Sequence, residues 1–139
     1  MHREYIALVQ GIILEDEGKI IAPIGRSKKE PLKNTVELVQ GKEAVTYFSV
    51  KQRFKGDNAT LIDCRLLTGR THQIRVHMEY IGHPVIGDPL YGKGNRKLFD
   101  GGQLLHANRL TFVHPTSQKE MSFEAPLPAF FEEIIAKLH

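Results

Sequence analysis

One stretch narrows the possible folds more than any other: "TVELVQGKEAVTYFSVKQRFKGDNATLIDCRLL", a succession of β-branched and aromatic runs interrupted only at Gln40-Gly41-Lys42 and Gly56-Asp57-Asn58. Both interruptions have the composition of tight turns, so the stretch predicts three strands joined as hairpins. In the middle run Val45, Tyr47 and Ser49 share one face, and Ala44, Thr46, Phe48 and Val50 share the other. Both faces carry apolar groups, which suits a strand covered on two sides. Neither face is cleanly polar, so the alternation does not fix the register.

The flanks add elements of both kinds. "REYIALVQGIIL" predicts a strand with a bulge or bend at Gly11, and "GKIIAPIG" a short or edge strand limited by Pro23. The polar, basic "GRSKKEPLKN" reads as a loop. At Thr71 the period changes: Ile74, Met78 and Ile81 recur at helical spacing. Thr71 is placed to cap the helix, Gly82 stands where a C′ residue belongs, and Pro84 blocks continuation, which predicts a helix over 72–81. Beyond it "GDPLYGKGNRKLFDGG" reads as an irregular loop, and "QLLHANRLTFVH" and "EMSFEAP" as strands. "PAFFEEIIAKLH" reads as an amphipathic helix with Phe130, Ile134 and Leu138 in register. The expected class is α+β, a mixed, mainly antiparallel sheet with two helices in one domain or a piece of one.

At 139 residues the chain can bury a sizeable core, and 41% hydrophobic with 25% charged residues, near the globular average, suggests neither disorder nor a fibrous repeat. A net charge of +3 admits a polyanionic partner without requiring one. The one cysteine, Cys64, lies in the strand-like "TLIDCRLL" and is expected to be a buried, inert thiol. No apolar run is long enough for a membrane span, and the first residues are too polar for a secretory signal, so the expected compartment is the cytoplasm.

Metal and nucleotide chemistry find little support. His72, His77 and His83 are spaced by five and six residues, which does not place ligands on one helical face. "YGKGNRK" lacks the spacing of a phosphate-cradling loop. The helix start offers more. Arg70 and Thr71 lie where free amides and the helix dipole favour an anion, and His72, Gln73 and Arg75 add donors. The residues alone leave two readings open, an anion site and a capped surface helix with solvated cations.

"TGRTHQIRVHMEYIGHPVIGDPLYG" resembles the signature of the RluA-type pseudouridine synthases, and "REYIALVQG", "APIGR", "GKEAVTYF" and "LLHANRLTFVHP" resemble further blocks of that family in the same order. The resemblance covers nearly the whole chain. It implies a portion of the pseudouridine synthase catalytic fold, an RNA substrate (ribosomal or transfer RNA), no cofactor and no metal. It also implies a chemistry in which the target uridine is flipped out, attacked by an aspartate, rotated and rejoined through carbon. By the same resemblance Arg70, Thr71, His72 and Gln73 are candidate substrate contacts. Tyr5 matches the tyrosine that packs against the base and is a candidate for proton abstraction, although a core strand tyrosine is an equal reading; Arg3 stands where the family has lysine. Arg75 matches the arginine that pairs with the catalytic aspartate and lowers its pKa by about 1 to 3.

The chain departs from the family at the nucleophile. The block resembling "HRLDxxTSG" is missing, and Asp16, Asp57, Asp63, Asp88 and Asp100 all lie elsewhere, Asp88 in a turn-like "GDPLYG". Residues 1–139 therefore read as a partial catalytic domain, inactive by itself. Losing one partner of a buried ion pair costs about 3 to 5 kcal/mol. Arg75 is thus expected to be exposed or to hold another anion, and a buried pairing with an aspartate of this chain would reopen Asp88 or Asp63. Uncovered apolar surface is expected to favour a dimer or a swapped strand. The alternative is a non-enzymatic RNA-binding module using Lys28, Lys29, Lys33, Lys93, Arg96 and Lys97 on phosphates.

Overall fold

The computed structural model describes residues 2–92 and 97–139, of His2 the backbone alone. Lys93 and Arg96, two of the loop cations named above, lie outside the described residues. The strands are β1 (His2–Gln10), β2 (Glu17–Ile21), β3 (Ile24–Arg26), β4 (Asn34–Val36), β5 (Val45–Phe54), β6 (Ala59–Leu66), β7 (Leu105–Val113) and β8 (Glu120–Glu124), and the helices α1 (Gln73–Tyr80) and α2 (Ala129–Ala136). Six strands form one sheet in the order β2-β5-β6-β1-β7-β8, and β3 pairs with β4 in a small second sheet. The class is α+β, and every pairing between these strands is antiparallel.

The hairpin at Gly56-Asp57-Asn58 joins β5 to β6 as the turn composition predicts, with Asn58 at φ 54. The other expected hairpin does not form. Gly41 donates its N–H to the Glu37 carbonyl, and Lys42 exchanges both backbone bonds with Ile24. The chain thus folds back along β3, and β4 takes β3 as its partner instead of β5. Pro23, which cannot donate to a ladder, separates β2 from β3, and β2 is an edge strand.

β1 shows how the alternation divides the core. Tyr5, Ala7 and Val9 pack with Phe48, Ile62, Cys64, Leu66 and, from α1, Ile74 and Met78. Ile6 and Leu8 point the other way, toward Phe54, Leu61, Leu104 and Phe131 of α2. Burying side chains such as Ile74 and Met78 is worth about 1.5–3 kcal/mol each, and this holds α1 on the sheet. On α2 Ile134 and Leu138 of the expected stripe face the sheet as predicted, but Phe131 replaces Phe130 as the third member. Ile135 joins them, while Phe130 is half exposed and stacks on Phe99. Either phenylalanine keeps helical spacing with Ile134; Phe131, which with Ile135 completes the broader apolar face, lies inside.

α1 ends as Gly82 and Pro84 predict. Gly82 at φ 86 donates to the Glu79 carbonyl and His83 to that of Met78, a C-terminal double turn that a side chain at position 82 would strain. The start differs from expectation. The N-cap is His72, at φ 57 and ψ 24, with no side-chain cap bond, and Thr71 is exposed with its carbonyl accepting from Asn34 Nδ2 at 2.8 Å. No described helix is long and apolar enough to cross a membrane.

Candidate active site

The loop after α1 is fastened to the helix by a buried charge pair. Arg75 Nε donates to Asp88 Oδ2 and Nη2 to Oδ1, both at 2.8 Å, and the Arg75 and Asp88 side chains are 10% and 0% exposed. Asp88 Oδ1 also accepts the N–H groups of Leu90 at 2.9 Å and Tyr91 at 3.0 Å, as its turn-like context predicts. Burial alone would raise the Asp88 pKa; the Arg75 bonds and the two amides outweigh it and hold the carboxyl below its ordinary value. Arg75 is therefore buried and paired with an aspartate of this chain, which overturns the expectation that it would be exposed or hold an anion from elsewhere: the loop after α1 brings Asp88 to it.

That finding reopens Asp88 and Asp63 as nucleophiles, and geometry answers for both. Asp88 has no exposed side-chain surface and both oxygens are engaged, so it cannot reach a substrate carbon. Asp63 pairs with Lys51 at 3.7 Å and faces away from Tyr5, because it alternates with Cys64, which shares the Tyr5 cluster. Asp16 is engaged by Arg53 and Asp57 by the His139 N–H.

Tyr91 ties the helix start to the small sheet. Its hydroxyl accepts the Asn34 N–H and bonds His72 Nδ1, both at 2.9 Å, while Arg75 and Lys33 lie over its ring at 5.0 and 5.2 Å. The contact with Tyr91 offsets part of the left-handed conformation of His72, which costs about 1–2 kcal/mol for a residue with a Cβ. Burial, with a smaller contribution from Arg75, lowers the His72 pKa.

Gln73 is buried, and its carboxamide bonds Thr68, Arg70, Val45 and Thr46. Arg70 is half-buried, and its Nε donates to the Glu43 carbonyl at 2.8 Å. The Arg3 guanidinium lies against Gly69, where a Cβ would stand 2.6 Å from Nη1. Tyr5 is half-buried in the α1-side cluster, and the β1–β7 register shifts between Glu4 and Tyr5, leaving Asn108 as the extra residue. Such bulges re-aim side chains. Asn108 Oδ1 is buried there without a partner.

The structure thus joins Arg70, Thr71, His72, Gln73 and Arg75 at one helix start. Among the described residues no hydrogen bond, ion pair or ring contact links Tyr5 to Arg75. Sequence reasoning did not single out Asn34, Glu43, Thr68 or Tyr91; Thr68 and Tyr91 lie within the signature stretch and Glu43 within "GKEAVTYF", but no spacing marks any of them as a partner of the helix start. A groove of about 1180 Å³ lies on the opposite sheet face with Glu4, Tyr47, Lys51, Asp63, Arg65 and Arg109 among its walls. Its cations Lys19, Lys51, Arg65 and Arg109 are matched by Glu4, Glu17, Asp63 and Glu124, so it offers no net attraction to a polyanion. No cluster of three or more described His, Cys, Asp or Glu side chains is arranged to hold a metal.

Comparison with known proteins places this geometry in a family context. The RNA pseudouridylate synthase family pattern matches residues 1–80. An uncharacterized RNA pseudouridine synthase of Bacillus subtilis, YlyB, is 53% identical over 98% of this chain and 44% of its own length. Ribosomal large subunit pseudouridine synthase D of Xanthomonas campestris is 39% identical over 99% of this chain and 44% of its own length. The chain thus spans less than half of these relatives. The solved human RNA pseudouridylate synthase domain containing 1 superposes with a TM-score of 0.81 at 32% identity, covering 99% of this chain and 58% of that one.

Proposed function

Because the chain belongs to the RNA pseudouridylate synthase family, we propose that it forms part of a catalytic domain that converts uridine to pseudouridine in ribosomal or transfer RNA. The observation that carries the reading is the family match over the strand bearing Tyr5 and the helix start bearing Arg70 and Arg75. In the reaction the N1–C1′ bond of uridine breaks, C5 bonds to C1′, the C5 proton leaves to a base and N1 takes up a proton, so the product is an isomer of the substrate. In this reading Tyr5 packs on the flipped base and receives the C5 proton. Arg70, Thr71 and His72 lie at a helix start suited to backbone phosphate. In this reading the nucleophilic carboxylate comes from outside these 139 residues, since none of the five aspartates lies in a block like the family's and Asp88, the one beside Arg75, is fully enclosed.

A non-enzymatic RNA-binding module is a second reading, favoured by one observation: Arg75 is already neutralised by Asp88. Tritium release from RNA labelled at uridine C5 separates the two. The chain alone is expected to bind RNA and release nothing, and release would overturn the missing-nucleophile argument. Fusion to the corresponding N-terminal part of the Bacillus subtilis relative restores release under the first reading and not under the second.

A further inference from the structure

We propose that Gln73 is a positioning residue and not a substrate ligand: its carboxamide fixes the Thr68–Arg70 turn, and through it the Arg70 cation, against the start of β5. The inference rests on the reading that Arg70 faces RNA. Gln73 is 2% exposed. Its Oε1 accepts from Thr68 Oγ1 at 2.7 Å and from the Arg70 N–H at 3.0 Å. Its Nε2 donates to the Val45 carbonyl at 2.9 Å and to Thr46 Oγ1 at 3.0 Å. A carboxamide has two donor hydrogens and two acceptor lone pairs, and all are used, so none remains for a substrate.

Two backbone groups fix the orientation of this amide. The Arg70 N–H can only donate and the Val45 carbonyl can only accept, so a flipped amide would lose both bonds. The surrounding hydroxyls agree. Thr68 accepts the Val45 N–H at 3.0 Å and spends its proton on Gln73. Thr46 accepts from Gln73 and donates to His77 Nδ1 at 2.8 Å, and His77 Nε2 donates to the Ala22 carbonyl at 2.8 Å. One directed chain thus runs from the Arg70 amide to the end of β2. Arg70 is held twice, by its amide on Gln73 and by Nε on the Glu43 carbonyl. Position 73 shapes the surface while remaining out of reach of what binds there.

The test uses the whole chain with Gln73→Met, Gln73→Glu, Arg70→Ala and the Arg70→Ala/Gln73→Met double variant. Amide hydrogen exchange at Arg70 and the Kd for a uridine-containing single-stranded RNA are measured on each. Gln73→Met should speed Arg70 exchange by about ten-fold or more, the scale of one lost hydrogen bond. It should also weaken RNA binding by about as much as Arg70→Ala, with the double variant no weaker than Arg70→Ala alone. A residue that touched RNA would add its own loss in the double variant, and a merely structural one would leave the Kd of the folded protein unchanged; either result overturns the proposal. Gln73→Glu keeps the shape and acceptors but cannot donate to Val45 until it is protonated. Its Arg70 protection should therefore recover partly as pH falls, and a pH-independent profile equal to that of the unaltered chain refutes the clamp. If the unaltered chain binds no RNA, the functional reading fails, and Arg70 exchange alone decides whether Gln73 holds the turn.

Discussion

Arg75 is the residue on which the structural and catalytic readings compete, and a substitution cycle decides between them. Arg75→Met removes the fork and leaves the fully enclosed Asp88 carboxylate with two amide bonds, from Leu90 and Tyr91. Breaking one side of a buried pair costs about 3 to 5 kcal/mol. Asp88→Leu leaves the guanidinium buried and also orphans both amides, at about 1–3 kcal/mol for each buried group left unpaired, so it should be the worse single change. In Arg75→Met/Asp88→Leu the uncompensated charge is gone, and the double variant should be less destabilised than the sum of the singles by about 2 kcal/mol or more, within the range found for contacting pairs. Urea unfolding followed by circular dichroism reads all four proteins. An Arg75→Met cost below about 1 kcal/mol, with coupling near zero, would show that the pair contributes little and that Arg75 is free to hold a carboxylate from elsewhere. A pH series adds a check of sign. The folded Asp88 pKa lies below its ordinary value, so its contribution is present above the unfolded pKa of 3.8 and is lost as pH falls through the folded value. Asp88→Asn should remove that acid limb.

Two further outcomes follow from the packing. Burial lowers the His77 pKa from 6.5, so His77 contributes stability above pH 6.5 that is lost as pH falls from there toward the folded value; His77→Gln should flatten that limb in urea midpoints measured between pH 7 and 5. Phe131→Ala should cost about 3–5 kcal/mol and Phe130→Ala less than about 1.5 kcal/mol, and equal costs would refute the placing of Phe131 inside and Phe130 outside.

Much of the fold was legible because local chemistry and tertiary contacts agree. Gly56-Asp57-Asn58 makes its hairpin, and Gly82 with Pro84 ends α1. Where the structure departs from the pattern, a long-range partner decides. β4 prefers β3 because Lys42 bridges Ile24, a contact that no window of sequence contains. Phe130 and Phe131 compete for one slot, and the apolar surface around Leu8 and Leu61 selects between them. Thr71 has the chemistry of a cap, but Tyr91, distant in sequence, holds His72 in the capping position instead.

The site was legible as a set of residues and not as a division of labour. Arg70 and Arg75 are equivalent cations to any composition or spacing argument. What separates them is that Asp88 reaches Arg75 across the loop, while among the described residues Arg70 bonds carbonyl and amide groups that leave its charge uncancelled. A guanidinium bonded to neutral groups keeps its attraction for phosphate, whereas one forked to a carboxylate has spent it. On that ground Arg70 is the stronger candidate for contacting RNA and Arg75 for holding the helix and loop in register. The catalytic role that the resemblance implies for Arg75 would then require an incoming carboxylate to compete with Asp88 for the same fork, or to share it.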